Sequence, residues 1–186
     1  MIENLLLSKN SVFTLEDIRG LWGTISSETF KQRIYRLTKK NDIKLIRIRK
    51  GVFIIEGKDY NSYECANKLN SPSYISFETV LFDEGLIFQR PSSILSSSLQ
   101  TKKIIADLKI YNYRKIKKSV LLNNIGIEFK DNYYVATKER ALLDYLYVNG
   151  ISYFDNLRSI DFVKAKEIVL IYEDLNLEKQ LKKLCN

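Results

Sequence analysis

The sequence predicts an α+β fold in two parts, and three observations carry that prediction. Residues 1–57 hold three short stretches with helical spacing of apolar residues, followed by a run that alternates apolar and basic residues. Residues 92–136 are rich in β-branched and aromatic residues at alternating positions, with helical stretches before and after them. The 186 residues include only seven glycines and two prolines, which leaves little room for long linkers or disordered tails.

The elements of the first part follow in order. Ile2 to Ser8 is a first short helix, with Ile2, Leu5 and Leu6 available for a buried face. Thr14-Leu15-Glu16-Asp17 is a capping-box pattern, a hydroxyl followed three residues later by an acid. It predicts a second helix over Leu15 to Leu21 that buries Leu15, Ile18 and Leu21. Ser26 or Ser27 caps a third helix running to about Lys40, with Phe30, Ile34 and Leu37 inward at i, i+4 and i+7. After Asn41-Asp42, LIRIR reads as a half-buried strand with Ile46 and Ile48 inward and Arg47 and Arg49 outward. Lys50-Gly51 is the turn, and VFII returns as the partner strand. Three short helices and a β-hairpin are the winged helix-turn-helix arrangement, in which the third helix enters the DNA major groove and the hairpin touches the flanking backbone.

Charge falls on the same elements. Residues 31–50 contain nine basic side chains and one acid, so this segment carries +8, the formal net charge of the whole chain. The remaining 166 residues balance at 21 basic and 21 acidic. An ordinary solvated helix face mixes both signs; this one does not. The expected DNA-contacting set is Ser27, Thr29, Lys31, Gln32, Arg33, Tyr35, Arg36, Lys39 and Lys40 on the helix, with Arg47, Arg49 and Lys50 on the hairpin. The expected partner is double-stranded operator DNA, since A-form RNA hides its major groove from a helix. A charged surface for a partner other than nucleic acid is the alternative.

Residues 58–186 are nearly neutral, with 19 basic and 16 acidic side chains. The spacing predicts a helix over Tyr63 to Leu69, then one capped by Ser76, running through about Glu84 and ended by Gly85. SILSSSLQT, IADLKIYNYRKI, IGIEFK and NYYVA read as strands of a central, mainly antiparallel sheet. Thr137 caps an apolar helix, KERALLDYLYV, that closes at Asn149-Gly150, and helices over Phe162 to Tyr172 and Leu177 to Leu184 follow. The domain boundary is expected between residues 57 and 58.

Absent residue types narrow the chemistry. There is no histidine, which removes His-based acid–base catalysis, Ser-His-Asp and Cys-His triads, and His-ligated zinc. Two distant cysteines, Cys65 and Cys185, cannot form a four-thiolate zinc site and read as reduced thiols of a cytoplasmic protein. No apolar run approaches the roughly 20 residues that span a bilayer, and MIENLLLSKN, with its Glu3, lacks the pattern of a secretory signal. No membrane, cofactor or resident metal is therefore expected. A Mg²⁺-dependent nuclease remains a competing reading, since Asp107 upstream of Glu128-Phe129-Lys130 fits a carboxylate-plus-lysine template. That pattern also occurs at Asp42-Lys44, Glu56-Lys58 and Asp107-Lys109, about as often as chance supplies it in a chain this rich in acids and lysines.

Two longer segments are more specific. One contains Pro72, Ser73, Tyr74, Ile75, Ser76, Leu81, Gly85, Leu86 and Ile87; the other contains Ala136, Thr137, Glu139, Arg140, Ala141, Leu142, Leu143, Asp144 and Leu146. In order and spacing, with the basic hairpin RIRKGVF ahead of them, they resemble the AbiEi family of antitoxins and transcriptional regulators from abortive-infection (type IV) toxin–antitoxin systems. Lys138 stands where many members have Pro, and residues 151–186 match nothing in the pattern. The resemblance implies a non-enzymatic autorepressor that binds inverted repeats and counteracts a nucleotidyltransferase toxin, with Ser73, Tyr74, Ser76, Glu139, Arg140 and Asp144 as the motif of the antitoxin domain. After the nuclease, a regulator whose second domain senses a ligand is a third reading. For the apolar motif residues the simplest role is core packing; Glu139, Arg140 and Asp144 either contact a ligand or partner or, as such residues more often do, cap helices or pair internally.

Overall fold

The computed structural model describes residues 2–39 and 44–185. It is a mixed α+β structure that divides after Leu69 into two compact units, residues 1–69 and 70–186.

The first unit begins with α1 (Ile2–Leu6), β1 (Val12–Thr14), α2 (Leu15–Trp22) and α3 (Ser27–Lys39). The capping box forms as expected: the Thr14 hydroxyl accepts from the Asp17 N–H at 3.1 Å and the Asp17 carboxylate accepts from the Thr14 N–H at 2.8 Å. Ser26 is the residue whose hydroxyl receives an α3 N–H, from Thr29 at 3.2 Å. β2 (Leu45–Arg49) and β3 (Val52–Ile55) form the hairpin, and β1 joins on the other side of β3 to give the order β1-β3-β2. Gly51 occupies the turn at φ +80°, a conformation that favours glycine.

Leu5, Phe13, Ile18, Phe30, Leu37, Leu45, Phe53 and Ile55 make one core between these helices and one face of the sheet. Two expectations are corrected here. Leu45, paired with Ile55, is the buried β2 residue, while Ile46 is 40% exposed and Ile48 half-buried. The inward set therefore begins one residue earlier, and a bulge between Arg47 and Arg49 shifts the register before the turn. Leu15 is 39% exposed and Leu21 half-buried, so Ile18 is the α2 residue that anchors the core.

α4 (Ser62–Leu69) packs against β1 and belongs to this unit, so the boundary expected after residue 57 falls inside it. Glu64 on α4 accepts from the Ser11 N–H at 2.9 Å and the Ser11 hydroxyl at 2.6 Å, and Lys68 pairs with Asp17 at 2.8 Å. Burial pushes the Asp17 carboxyl up, but hydrogen bonds from Lys68 and Thr14 outweigh it and hold its pKa below the usual value.

The second unit runs β4 (Ser73–Ile75), α5 (Glu78–Asp83), β5 (Ile94–Ser98), β6 (Lys102–Ala106), β7 (Lys109–Lys115), α6 (Lys118–Leu121), β8 (Ile127–Lys130) and β9 (Tyr133–Ala136). α7 (Lys138–Asn149), α8 (Phe162–Ile168), a 3₁₀ turn over Val169–Tyr172 and α9 (Leu175–Leu184) follow. The six strands are ordered β6-β7-β5-β4-β9-β8; β4–β9 and β5–β7 are parallel and the other three pairings antiparallel. Positive φ at Asp107 and Leu108, and at Asp131 and Asn132, makes the two-residue turns of the β6–β7 and β8–β9 hairpins.

Ser76 does not cap α5. Its hydroxyl donates elsewhere, and Phe77, at φ +57°, precedes the helix without a side-chain cap. Thr137 does cap α7, accepting from the Arg140 N–H, and Gly150 closes it at φ +78°. Among the described residues no helix is long and apolar enough to cross a membrane, and both cysteines are free.

Gly126 supplies a prediction. It sits at φ +74°, and a Cβ there would meet Arg140 Cβ at 2.9 Å and Ile168 Cδ1 at 3.0 Å. Gly85 has a similar φ of +70° but open space around it. Gly126→Ala is expected to destabilise by about 2 to 4 kcal/mol and Gly85→Ala by about 1 kcal/mol, read as shifts of the urea midpoint. Equal shifts would show that the close approach at Gly126 carries no cost.

Candidate nucleic-acid interface

The outward face of α3 follows from its inward one. Phe30 and Leu37 are buried and Ile34 packs against them, so 3.6-residue geometry turns the intervening residues to solvent. Ser27, Lys31, Gln32, Tyr35, Arg36 and Lys39 are exposed, and Thr29 and Arg33 are half-buried. Arg47, Arg49 and Lys50 are exposed on the hairpin, while Lys40 lies outside the described residues, as do Asn41 and Asp42. Arg47 is not on the sheet face expected for it. It pairs with Phe53 on the core side of β2, and its guanidinium reaches the edge of the hairpin 6.0 Å from the Phe53 ring centre.

One basic residue of this region was not anticipated. Arg19 on α2 is exposed, with its guanidinium 4.4 Å from the centre of the Phe30 ring, a cation–π contact that places a positive charge beside α3. Its signal in the sequence is weak: it stands one turn after Leu15, outside the charge-biased segment.

The second-unit motif residues are assembled in a different way. Arg140 and Asp144 are fully buried, one turn apart on α7, with Nε 3.5 Å from Oδ1. The Arg140 guanidinium donates to the carbonyls of Ile125 (2.8 Å) and Val120 (2.7 Å) and to the Tyr74 hydroxyl (3.0 Å). Asp144 accepts from Tyr172 at 2.6 Å, Ser76 at 2.7 Å and Ser97 at 3.0 Å. Burial, reinforced by the Asp144 charge, pushes Tyr74 and Tyr172 well above the usual tyrosine value, so both stay protonated. Burial pulls Arg140 down, but Tyr172, Tyr74 and Asp144 outweigh it and leave its pKa raised.

Glu139 is also buried, accepting from the Asp161 N–H at 3.3 Å with Lys164 at 3.8 Å, and the Ser73 hydroxyl donates to the Asn70 carbonyl. All six motif residues are thus buried: Glu139, Arg140 and Asp144 pair internally, and the reading of these three as surface contacts for a partner finds no exposed side chain to act through. They tie β4, β5, α7 and the 3₁₀ turn together.

The nuclease template does not assemble. Asp107 lies in the β6–β7 turn at one edge of the six-stranded sheet and Glu128 on β8 at the other edge, roughly 20 Å away at ordinary strand spacing. Among the described residues no group of three or more His, Cys, Asp or Glu side chains could hold a metal ion. No protein-family model and no curated protein matches this chain.

Proposed function

We propose that this protein is a DNA-binding transcriptional autorepressor and the antitoxin of a type IV toxin–antitoxin pair, acting against a nucleotidyltransferase toxin. The single observation that carries the DNA-binding half is the exposure of basic side chains on both α3 and the β2–β3 hairpin. Gln32, Arg36, Lys39, Arg47, Arg49 and Lys50 are all exposed on these two elements. The order α1-β1-α2-α3-β2-β3 supports reading the first unit as a winged helix, with α3 in the major groove and the hairpin along the backbone. The antitoxin half is supported by the resemblance of residues 66–87 and 135–150 to the AbiEi family. The buried motif residues would then preserve the shape of the second unit, leaving contact with the toxin or its target to other surfaces. We place the protein in the cytoplasm, where its operator and toxin would be.

Gln32 and Arg36, one turn apart, have the side chains that form bidentate bonds to adenine and guanine edges. Gln32→Ala and Arg36→Ala are each expected to cost about 1 to 3 kcal/mol on the promoter duplex and to relax preference at particular base pairs. Lys39→Ala, Arg47→Ala and Lys50→Ala should weaken binding to every sequence and each reduce the salt slope by about one unit. Fluorescence anisotropy with promoter duplexes across a salt series measures both effects. A wild-type salt slope near zero would remove the DNA reading.

A further inference from the structure

Beside the basic face lies a groove that phosphate recognition does not explain. It runs between α3 and the β2–β3 hairpin and has a volume of about 810 Å³; Phe30, Leu45 and Phe53 lie beneath it as buried core, and half-buried Ile34 is its accessible floor. Leu15 and Ile46 form apolar lips, 39% and 40% exposed, and Tyr35 is 59% exposed beside them. Five cations rim it: Arg19, Lys31, Lys39, Lys44 and Arg47. None of the described residues lining it is acidic. The α3 residues that line it extend from Ser27 to Lys39, so the groove follows the whole helix, roughly 18 Å at 1.5 Å per residue.

A phosphate needs the cations but gains nothing from the exposed apolar surface of Leu15, Ile46 and Tyr35, and leaving that surface wet is unfavourable. An acyl chain would cover the apolar surface yet leave its own outer methylenes in water, because the described residues leave the groove open to solvent. The occupant that satisfies floor, rim and solvent together is two-faced, apolar below, acidic at the flanks and polar above.

We infer that this groove docks an acidic amphipathic helix of a partner protein, of about three turns, with apolar residues at i, i+3, i+4 and i+7 on the floor and Asp or Glu side chains against the rim. Lys31, Tyr35, Lys39 and Arg47 belong both to the groove and to the expected DNA contacts, so helix and DNA compete. That competition, though not the docking, rests on the DNA-binding reading. A partner carrying such a helix would release the promoter.

The test uses the full chain and a fluorescein-labelled synthetic peptide with leucines at that spacing and flanking glutamates. One control peptide replaces the glutamates with lysine; another keeps the composition and moves the leucines off one face. The glutamate peptide is expected to bind with a micromolar Kd and both controls about tenfold or more weakly. Leu15→Ser and Ile46→Thr remove apolar lip without changing charge, and each should weaken the peptide about fivefold while promoter-duplex binding stays within about twofold.

Circular dichroism confirms that each variant is folded. Unlabelled glutamate peptide should displace the duplex. Equal binding of the lysine or rearranged peptide, or of the wild-type and both lip variants, overturns the docking proposal. Duplex binding without peptide binding overturns docking and leaves the DNA reading standing; peptide binding without duplex binding does the reverse. Simultaneous binding of both overturns the competition.

Discussion

Asp144→Ala is expected to bring residues 70–186 to the edge of unfolding. The substitution leaves the buried Arg140 guanidinium without its counter-charge, and the hydroxyls of Ser76, Ser97 and Tyr172 lose their acceptor. Removing one partner of a buried pair costs about 3 to 5 kcal/mol, a large share of the roughly 5 to 15 kcal/mol that separates a folded domain from its unfolded chain. Asp144→Asn keeps a carbonyl acceptor but loses the charge, and its cost should be smaller. Replacing both members, as in Arg140→Met with Asp144→Leu, should cost less than Asp144→Ala alone, because no uncompensated charge remains. Urea unfolding followed by tyrosine fluorescence and circular dichroism measures all three variants. If Asp144→Ala shifts the midpoint no further than a surface substitution does, the network is not what holds α7 to β4, β5 and the 3₁₀ turn.

On the proposed DNA-binding reading, reversing two charges on the first unit should have a comparably large effect on binding and little on folding. Arg36 and Arg49 are both exposed, one on α3 and one on the hairpin. Arg36→Glu with Arg49→Glu replaces two attractions with two repulsions along a phosphate backbone, and the loss should exceed about 100-fold near 0.1 M salt. Stability should stay within about 1 kcal/mol of wild type, since neither side chain is buried. In cells the double variant should lose promoter repression. If repression and antitoxin activity reside in separate units, as the proposed function allows, it should still protect cells that express the toxin of the proposed pair from an inducible promoter. A folded double variant that fails to protect would place antitoxin activity on the basic face itself.

Several local signals were legible, but the expected Ser76 cap does not form, because its hydroxyl donates to the distant Asp144. The Thr14–Asp17 capping box, the Thr137 cap, the inward trio of α3 and the Lys50-Gly51 turn each depend on residues within a few positions of one another, and each has the role expected of it. Strand β4 was missed because Ser73–Ile75 is three residues long and pairs with β5 and with the distant β9, so its own composition says nothing of it. The hairpin register departs from the alternation in LIRIR, which favours Ile46 and Ile48 inward: Leu45 is buried instead, and Arg47 shares its face, with its guanidinium at the hairpin edge. The pairing of Leu45 with Ile55 decides it.

Sequence alone determined the charge asymmetry of this protein, its α+β class and the identity of its basic segment, because composition and short-range periodicity are properties of the chain. Tertiary structure decided three further matters. It set the first unit's limit at Leu69, through Lys68–Asp17 and Glu64–Ser11 contacts that span about fifty residues. It put Glu139, Arg140 and Asp144 inside the second unit, since a charged residue on an apolar helix can be exposed or buried, and only the hydroxyls and carbonyls brought to it from other elements make burial tolerable. And it opened a groove beside α3, because Leu15 and Ile46 are apolar residues that the packing of α2, α3 and β2 left at the surface.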